Sequence, residues 1–304
     1  MNASPSKGLV VRQQAGFYTV DVGGKEITCK LRGKFKQLRA NEDLVAIGDW
    51  VLFTLLSDES GVIEEILPRQ NAFFRLAPSA RGDYKQILIA NIDRIFFVFS
   101  CAEPEPSMRM LDRFLVIAEK QKIPPVIVAN KVDLIGEEQA HRLFSVYEDL
   151  GYPLLLTSAH EKMNIEPLRE YLIGRTSAFS GPSGVGKSSL LNRVQPDLGA
   201  QIGRLKVSSG KGRHTTVVRQ LIPLKDGGYV ADMPGLRSLS LWDTEPEELD
   251  GYFPEMRDLV ADCQYNNCSH IMEPGCAIKE AVQKGKIDPA RYDSYIRLRQ
   301  GDDL

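Results

Sequence analysis

The sequence predicts a multidomain α/β protein: a small all-β barrel first, a mainly parallel sheet between layers of helix second, and a mostly helical unit last. Three observations carry that expectation. Residues 1–67 hold short runs rich in β-branched and aromatic residues and no convincing helix. From Gln86 onward, short apolar runs alternate with stripes at helical spacing. From about residue 243, an acidic stretch leads into a cluster of cysteine and histidine and then into two helix-like segments.

In the first region, residues 8–22 and 25–36 flank Gly23-Gly24, a hairpin signal, and residues 49–56 and 61–67 supply further strands. Such a set suits a small closed barrel such as an OB-fold, and periodicity alone does not separate it from an SH3-like barrel. Lys25, Lys30, Arg32, Lys34 and Lys36 lie near Phe35 with Glu26 as the single acid among them. That pattern suits RNA, with phosphate contact beside base stacking, and equally suits a plain solvated strand face.

Pro68-Arg69-Gln70-Asn71 breaks the strand pattern and begins a linker. Residues 87–89 and 95–99 read as strands, Met108–Lys120 as a helix with Leu111, Phe114, Leu115 and Ala118 on one face, and 125–129 as a buried strand. A second helix is expected over 137–150 and a strand over 153–157. Residues 217–224 and 229–231 flank Lys225-Asp226-Gly227-Gly228 as a hairpin at the sheet edge. The last unit is expected to place helices over 277–284 and Pro289–Arg299. The resulting division is 1–67, 68–242 and 243–304.

Composition excludes little. A net charge of −2 gives no global field for a polyanion, so nucleic-acid contact must come from local patches. No apolar run approaches the roughly 20 residues needed to cross a bilayer, and the start carries no apolar signal core, so a cytoplasmic protein is expected.

The chemistry sits in a few segments. Gly181-Pro182-Ser183-Gly184-Val185-Gly186-Lys187-Ser188, followed by Ser189, fits a phosphate loop between a strand-like and a helix-like run. Its glycines let backbone N–H groups wrap phosphates, Lys187 reaches the β/γ oxygens, and Ser188 suits Mg²⁺. Asn130-Lys131-Val132-Asp133 follows a buried strand, where α/β sheets gather ligands. Asp133 can accept from the N1–H and 2-amino group of guanine, a pairing adenine lacks, and leaving a buried carboxylate unpaired would make the wrong base costly. Asn130 supports base and loop, and Thr157-Ser158-Ala159 closes the next strand.

Asp232-Met233-Pro234-Gly235 suits an aspartate that orders Mg²⁺ through water and a glycine N–H at the γ-phosphate. Upstream, Gly210-Lys211-Gly212-Arg213-His214-Thr215-Thr216 lies where a switch loop supplies a threonine to Mg²⁺, either Thr215 or Thr216. Leu236 stands where Ras-like enzymes place the glutamine that orients water, so unaided hydrolysis is expected to be slow. A partner that completes such a site is worth roughly 10⁵-fold. His214 is read as the group that positions water once a partner orders its loop, against the plainer reading of a solvated histidine. The guanine segments precede the phosphate loop, the reverse of an ordinary Ras-like domain. Residues 68–242 therefore read as a circularly permuted Ras-like P-loop GTPase domain. The permutation runs the chain after Gly235 within about ten residues into the last unit, so nucleotide state is expected to reposition that unit.

Five cysteines, with Cys263, Cys268 and Cys276 crowded around His270, argue against a disulfide framework and for one structural Zn²⁺, with a redox thiol cluster as the alternative.

Taken together, the barrel, the motif order, the Gly-Arg-His-Thr-Thr tract and the Cys-x4-Cys-x-His-x5-Cys segment resemble the bacterial ribosome small subunit-dependent GTPase A family, also called YjeQ or YloQ. The resemblance covers essentially the whole chain. It implies an OB-fold and a zinc domain flanking the GTPase, and binding of the small (30S) ribosomal subunit and its 16S rRNA in the GTP state. It further implies a role in late maturation of that subunit, with subunit-stimulated hydrolysis promoting release. A monomer is the default. A nucleotide-dependent regulatory module whose slow hydrolysis only resets it, and an ATP-dependent enzyme, are the competing readings.

Overall fold

The computed structural model describes residues 5–37, 42–79, 82–196, 198–199, 219–233 and 244–301. The N-terminal strands are β1 (Ser6–Gln14), β2 (Phe17–Val22), β3 (Lys25–Leu31), β4 (Trp50–Ser57) and β5 (Ser60–Ile66). They run in the order β1-β2-β3-β5-β4 and close by pairing β4 with β1, with β3 and β5 parallel. That is the five-stranded closed barrel of an OB-fold. Alternation sets the two faces of β3: Ile27 and Cys29 enter a core with Val10, Val20, Val51, Phe53 and Ile63, while Thr28 and Lys30 face out.

Two details differ from the sequence reading. Residues 8–22 form two strands, turned at Ala15-Gly16 where φ is 50° and 81°. The stretch 25–36 leaves the sheet after Leu31, and Gly33–Gln37 is a 3-10 helix. Pro68-Arg69-Gln70-Asn71 is also less free than a linker. Arg69 donates to both carboxylate oxygens of the fully buried Asp49, at 2.7 and 2.8 Å, and to the carbonyls of Asp43 and Leu44. A buried carboxylate held this way fixes the exit from the barrel.

Next come β6 (Ala72–Ser79) and β7 (Gly82–Ala90), which pair only with each other, so the run at 87–89 belongs to a separate hairpin. The large sheet contains β8 (Arg94–Ser100), β9 (Pro125–Asn130), β10 (Leu154–Leu156), β11 (Thr176–Ser180), β13 (Ile222–Pro223) and β14 (Tyr229–Asp232). Their order is β10-β9-β8-β11-β14-β13, parallel except at the edge strand β13.

Alternate side chains feed two layers. Ile95, Phe97, Phe99 and Ile127 pack under α1 (Met108–Lys120) and α2 (Glu137–Asp149). Phe96, Val98, Val126 and Val128 pack under α3 (Ile165–Leu172) and α4 (Lys187–Val194).

The stretch expected as one strand over 217–224 divides among the described residues. Its β12 (Arg219–Gln220) pairs with Arg12 and Gln13 of the barrel, Leu221 N–H donates to the Val11 carbonyl at 2.8 Å, and only Ile222–Pro223 joins the large sheet. Tyr229 Oη adds a 2.5 Å bond to Asp21 Oδ2 of the barrel.

The last unit holds a 3-10 helix over Pro246–Tyr252, α5 (Ala277–Gln283) and α6 (Pro289–Arg299) around Leu249, Phe253, Met256 and Tyr295. It docks on α1. Arg291, 2% exposed, donates to Asp112 Oδ1 at 2.6 Å and to Glu255 at 2.8 and 3.2 Å. Ser294 and Tyr147 donate to the same Asp112 at 2.5 and 2.8 Å. Among the described residues, no helix is long and apolar enough to cross a membrane.

Candidate functional site

The phosphate-loop and guanine segments leave the carboxyl ends of neighbouring strands, where α/β sheets concentrate their ligands. Residues 181–186 join β11 to α4. Gly181, with φ 149°, packs its backbone on β8, where an added Cβ would lie 2.1 Å from the Val98 carbonyl oxygen. Gly186, with φ 93°, packs on Asn130, and a Cβ there would lie 2.3 Å from Asn130 Nδ2. Lys187 folds back across the loop, its Nζ donating to the carbonyls of Gly181 and Pro182 at 2.8 and 2.6 Å. Ser183 and Gly184 are exposed, as are Ser188 and Ser189 in the first turn of α4. An exposed helix start beside a glycine-rich turn is a natural anion site.

Asn130, 1% exposed, ties the guanine segments to the phosphate loop. Its Nδ2 donates to the Val185 carbonyl at 2.8 Å, and its Oδ1 accepts from Thr157 Oγ1 at 3.3 Å and Ala159 N–H at 3.2 Å. Lys131 holds a left-handed φ of 65°, and its Nζ donates to the Glu103 carbonyl. Asp133 accepts from Ser158 Oγ at 2.5 Å through one oxygen. It is open to solvent, not buried as the sequence argument assumed, so an incoming base would itself supply the desolvation. Arg193 of α4 donates to the Ala159 carbonyl at 2.7 Å. That link between the phosphate-loop helix and the third guanine residue carries no sequence signature.

Asp232 ends β14 in register with Phe179, and Met233 N–H donates to the Phe179 carbonyl at 2.8 Å, which sets the strand end beside the start of the phosphate loop. His214, Thr215, Thr216 and Gly235 lie outside the described residues.

The expected RNA residues do not share one strand face. Lys25 opens β3, and Lys30 projects from it with Nζ 4.8 Å from the ring centroid of Phe17. Arg32 pairs with Glu64. Lys34, Phe35 and Lys36 sit in the 3-10 helix, where the Phe35 ring is 9% exposed and offers no open stacking surface. The exposed aromatic is Phe17, at 44%. It lies beside the Ala15-Gly16 turn, outside the basic stretch that drew attention.

The ligand atoms of Cys263, Cys268, His270 and Cys276 all lie within 4.8 Å of one another. His270 Nδ1 is 3.5 and 3.4 Å from the sulfurs of Cys263 and Cys276, and its Nε2 faces Asp250 Oδ2 at 3.1 Å. A carboxylate behind the ring fixes which nitrogen points inward, the usual arrangement for a metal-ligating histidine. Burial pushes the Cys268 thiol up to about 12, so thiolates here call for a cation among them. Four converging soft ligands could hold one metal ion and leave no open position. Tyr292 Oη and Tyr295 Oη brace the loop through the carbonyls of His270 and Ser269.

Comparison with known proteins gives the same picture over the whole chain. The RsgA N-terminal domain matches residues 7–63 and the RsgA GTPase matches residues 66–242. A protein named small ribosomal subunit biogenesis GTPase RsgA from Gemmatimonas aurantiaca is 41% identical over 297 residues, 96% of each chain. Its namesake from Moorella thermoacetica is 42% identical over 290 residues, 95% of each. The crystal structure of YjeQ from Thermotoga maritima aligns with a TM-score of 0.79 at 38% identity over 98% of both chains. YloQ, a circularly permuted GTPase, aligns at 0.77 and 30% identity over 99% of this chain and 96% of its own. With a permuted nucleotide fold, a closed N-terminal barrel and this coverage, the chain belongs to the RsgA GTPase family.

Proposed function

We propose that this protein is a GTP hydrolase of small ribosomal subunit maturation, binding the 30S particle through its 16S rRNA in the GTP state and leaving after hydrolysis. The observation that carries the reading is Asn130, one buried amide that holds the guanine loop and the phosphate loop together. Its placement supports Asp133 as the base reader, with Thr157, Ser158 and Ala159 beside it, and Gly181 through Ser189 as the phosphate cradle. Mg²⁺, when bound, neutralises charge on the β/γ oxygens. Ser188, Asp232 and one of Thr215 or Thr216 are the residues assigned to hold it. Lys187 turns from the loop carbonyls to phosphate oxygens, the Gly235 N–H meets the γ-phosphate, and His214 positions water.

The cysteine–histidine cluster is assigned one structural Zn²⁺, which suits a closed set of three sulfurs and one nitrogen. The working units are 1–67, 68–242 and 243–304, in a cytoplasmic monomer. On the barrel, Lys25, Lys30, Lys34 and Lys36 are the phosphate contacts, and Phe17 replaces Phe35 as the stacking ring.

Multiple-turnover GTP hydrolysis, measured alone, with purified small subunits and with large subunits, tests the reading. Stimulation confined to small subunits is the expected result. Equal rates in all three would leave a GTP-binding regulatory module.

A further inference from the structure

At the end of the sheet opposite the phosphate loop, a groove of about 480 Å³ opens between the barrel and the starts of β11 and β14. Its barrel wall holds Lys7 and Trp50, and its sheet wall holds Arg175 and Thr176, with Gln70 and Asp93 between them. Trp50 begins β4 directly opposite Leu9 of β1, on the outer surface of the barrel. Leu9 on that surface is buried, in one cluster with Ile92 and Ile95 of the sheet domain, whereas the indole at the edge of the junction stays 40% exposed. Lys7 Nζ lies 4.7 Å from the indole centroid.

We infer that this groove binds a nucleotide of single-stranded RNA, its base stacked on Trp50 and its phosphates held by Lys7 and Arg175. The inference rests on the ribosomal reading above for the presence of RNA. Its chemistry rests on the groove itself. Among the described residues neither Lys7 nor Arg175 forms an ion pair, which leaves two cations facing one space. The carboxylate of Asp93 lines the same space but already accepts the Thr176 N–H at 2.7 Å, which occupies part of its charge. An open indole beside two unpaired cations fits a stacked base between phosphates. An acidic peptide would use the cations and leave the ring idle. Because the two walls come from different domains, a nucleotide there bridges barrel and sheet.

The chain has two tryptophans, Trp50 and Trp242, so Trp242→Phe in the full chain leaves Trp50 as the only indole reporter. Titration with a short oligouridylate is expected to quench Trp50 fluorescence saturably, while polyphosphate and polyglutamate bind without quenching. Trp50→Ala weakens oligouridylate binding about 10-fold, the effect of one lost stack. Lys7→Glu with Arg175→Glu flattens the salt dependence by about 1.4 in log–log slope.

Unchanged basal GTP hydrolysis in each variant confirms folding. Absent quenching, or equal quenching by polyglutamate, overturns the inference. Small-subunit stimulation of wild-type hydrolysis is read separately. If it is present without quenching, the groove assignment fails and the ribosomal reading stands. If it is absent while oligouridylate quenches, the groove stands and the ribosomal reading fails.

Discussion

Gly186→Ala tests the join between the two halves of the nucleotide site, and Gly184→Ala is its control. Both glycines have φ in the left-handed region, 93° and 81°, so either alanine bears about 1–2 kcal/mol of backbone strain. Their surroundings differ. At Gly184 the nearest atom to an added Cβ is Pro104 Cδ at 3.6 Å, an ordinary contact. At Gly186 it is Asn130 Nδ2 at 2.3 Å, so the amide must leave and its bond to the Val185 carbonyl breaks. A buried acceptor left unpaired costs about 1–3 kcal/mol.

Gly186→Ala is therefore expected to weaken GDP binding about 5- to 150-fold more than Gly184→Ala. Because Asn130 Oδ1 also holds Thr157 and Ala159, the guanine-over-adenine preference should narrow in Gly186→Ala alone. Isothermal titration with GDP and ADP on both variants measures each effect. Equal losses of affinity, with unchanged base preference, would falsify the claim that Asn130 couples the loops.

Asp133→Asn removes the acceptor for guanine and should lower GDP affinity at least about 100-fold while leaving ADP binding unchanged, by the same titrations. Asp250→Ala frees His270 Nε2 and is expected to lower metal affinity about 10- to 100-fold in competition with a chromogenic chelator. Arg291→Met strands the buried Asp112 and should destabilise the chain by about 3–5 kcal/mol in denaturant, most of which the double variant with Asp112→Asn recovers. Glu273 accepts from the Ser269 hydroxyl and from backbone N–H groups, which depress its carboxyl to about 2. Its folded value lies below its unfolded one, so its contribution is full above the ordinary carboxylate range and is lost as pH falls toward about 2. A carboxyl carbon titration by NMR that places Glu273 near 4.5 instead would remove that hydrogen-bond account.

Local signals made much of this molecule readable. The helix Met108–Lys120 has the predicted ends because Ser107 caps it, Oγ accepting from Met110 N–H at 3.3 Å. Pro289–Arg299 likewise starts at Asp288, whose carboxylate accepts from Ala290 and Arg291. The phosphate loop, the guanine segments and the metal cluster were legible because each packs its chemistry into a few consecutive positions.

What escaped depends on distant partners. The helix Ile165–Leu172 spans eight residues, begins at a left-handed Asn164 without a side-chain cap, and is too short for periodicity to declare it. The strand Arg219–Gln220 is two residues whose pairing lies on the first strand of the chain. Phe35 drew attention because it sits among lysines, yet the fold turns its ring inward and leaves Phe17 outside. Burial is settled by the barrel's closure, which no neighbour in sequence encodes.

The barrel is attached to the sheet domain at two separate places, through Arg69 at its exit and through 219–221 and Tyr229 on its first two strands. One attachment makes a hinge, but two that do not share an axis make a clamp. The separation between whatever the barrel grips and the nucleotide at the phosphate loop is then a built-in length, set by the protein before any partner arrives. A molecule of this kind acts as a gauge: it seats only where its target presents both footholds at the matching spacing, and a target still short of that shape is passed over without any chemistry being spent.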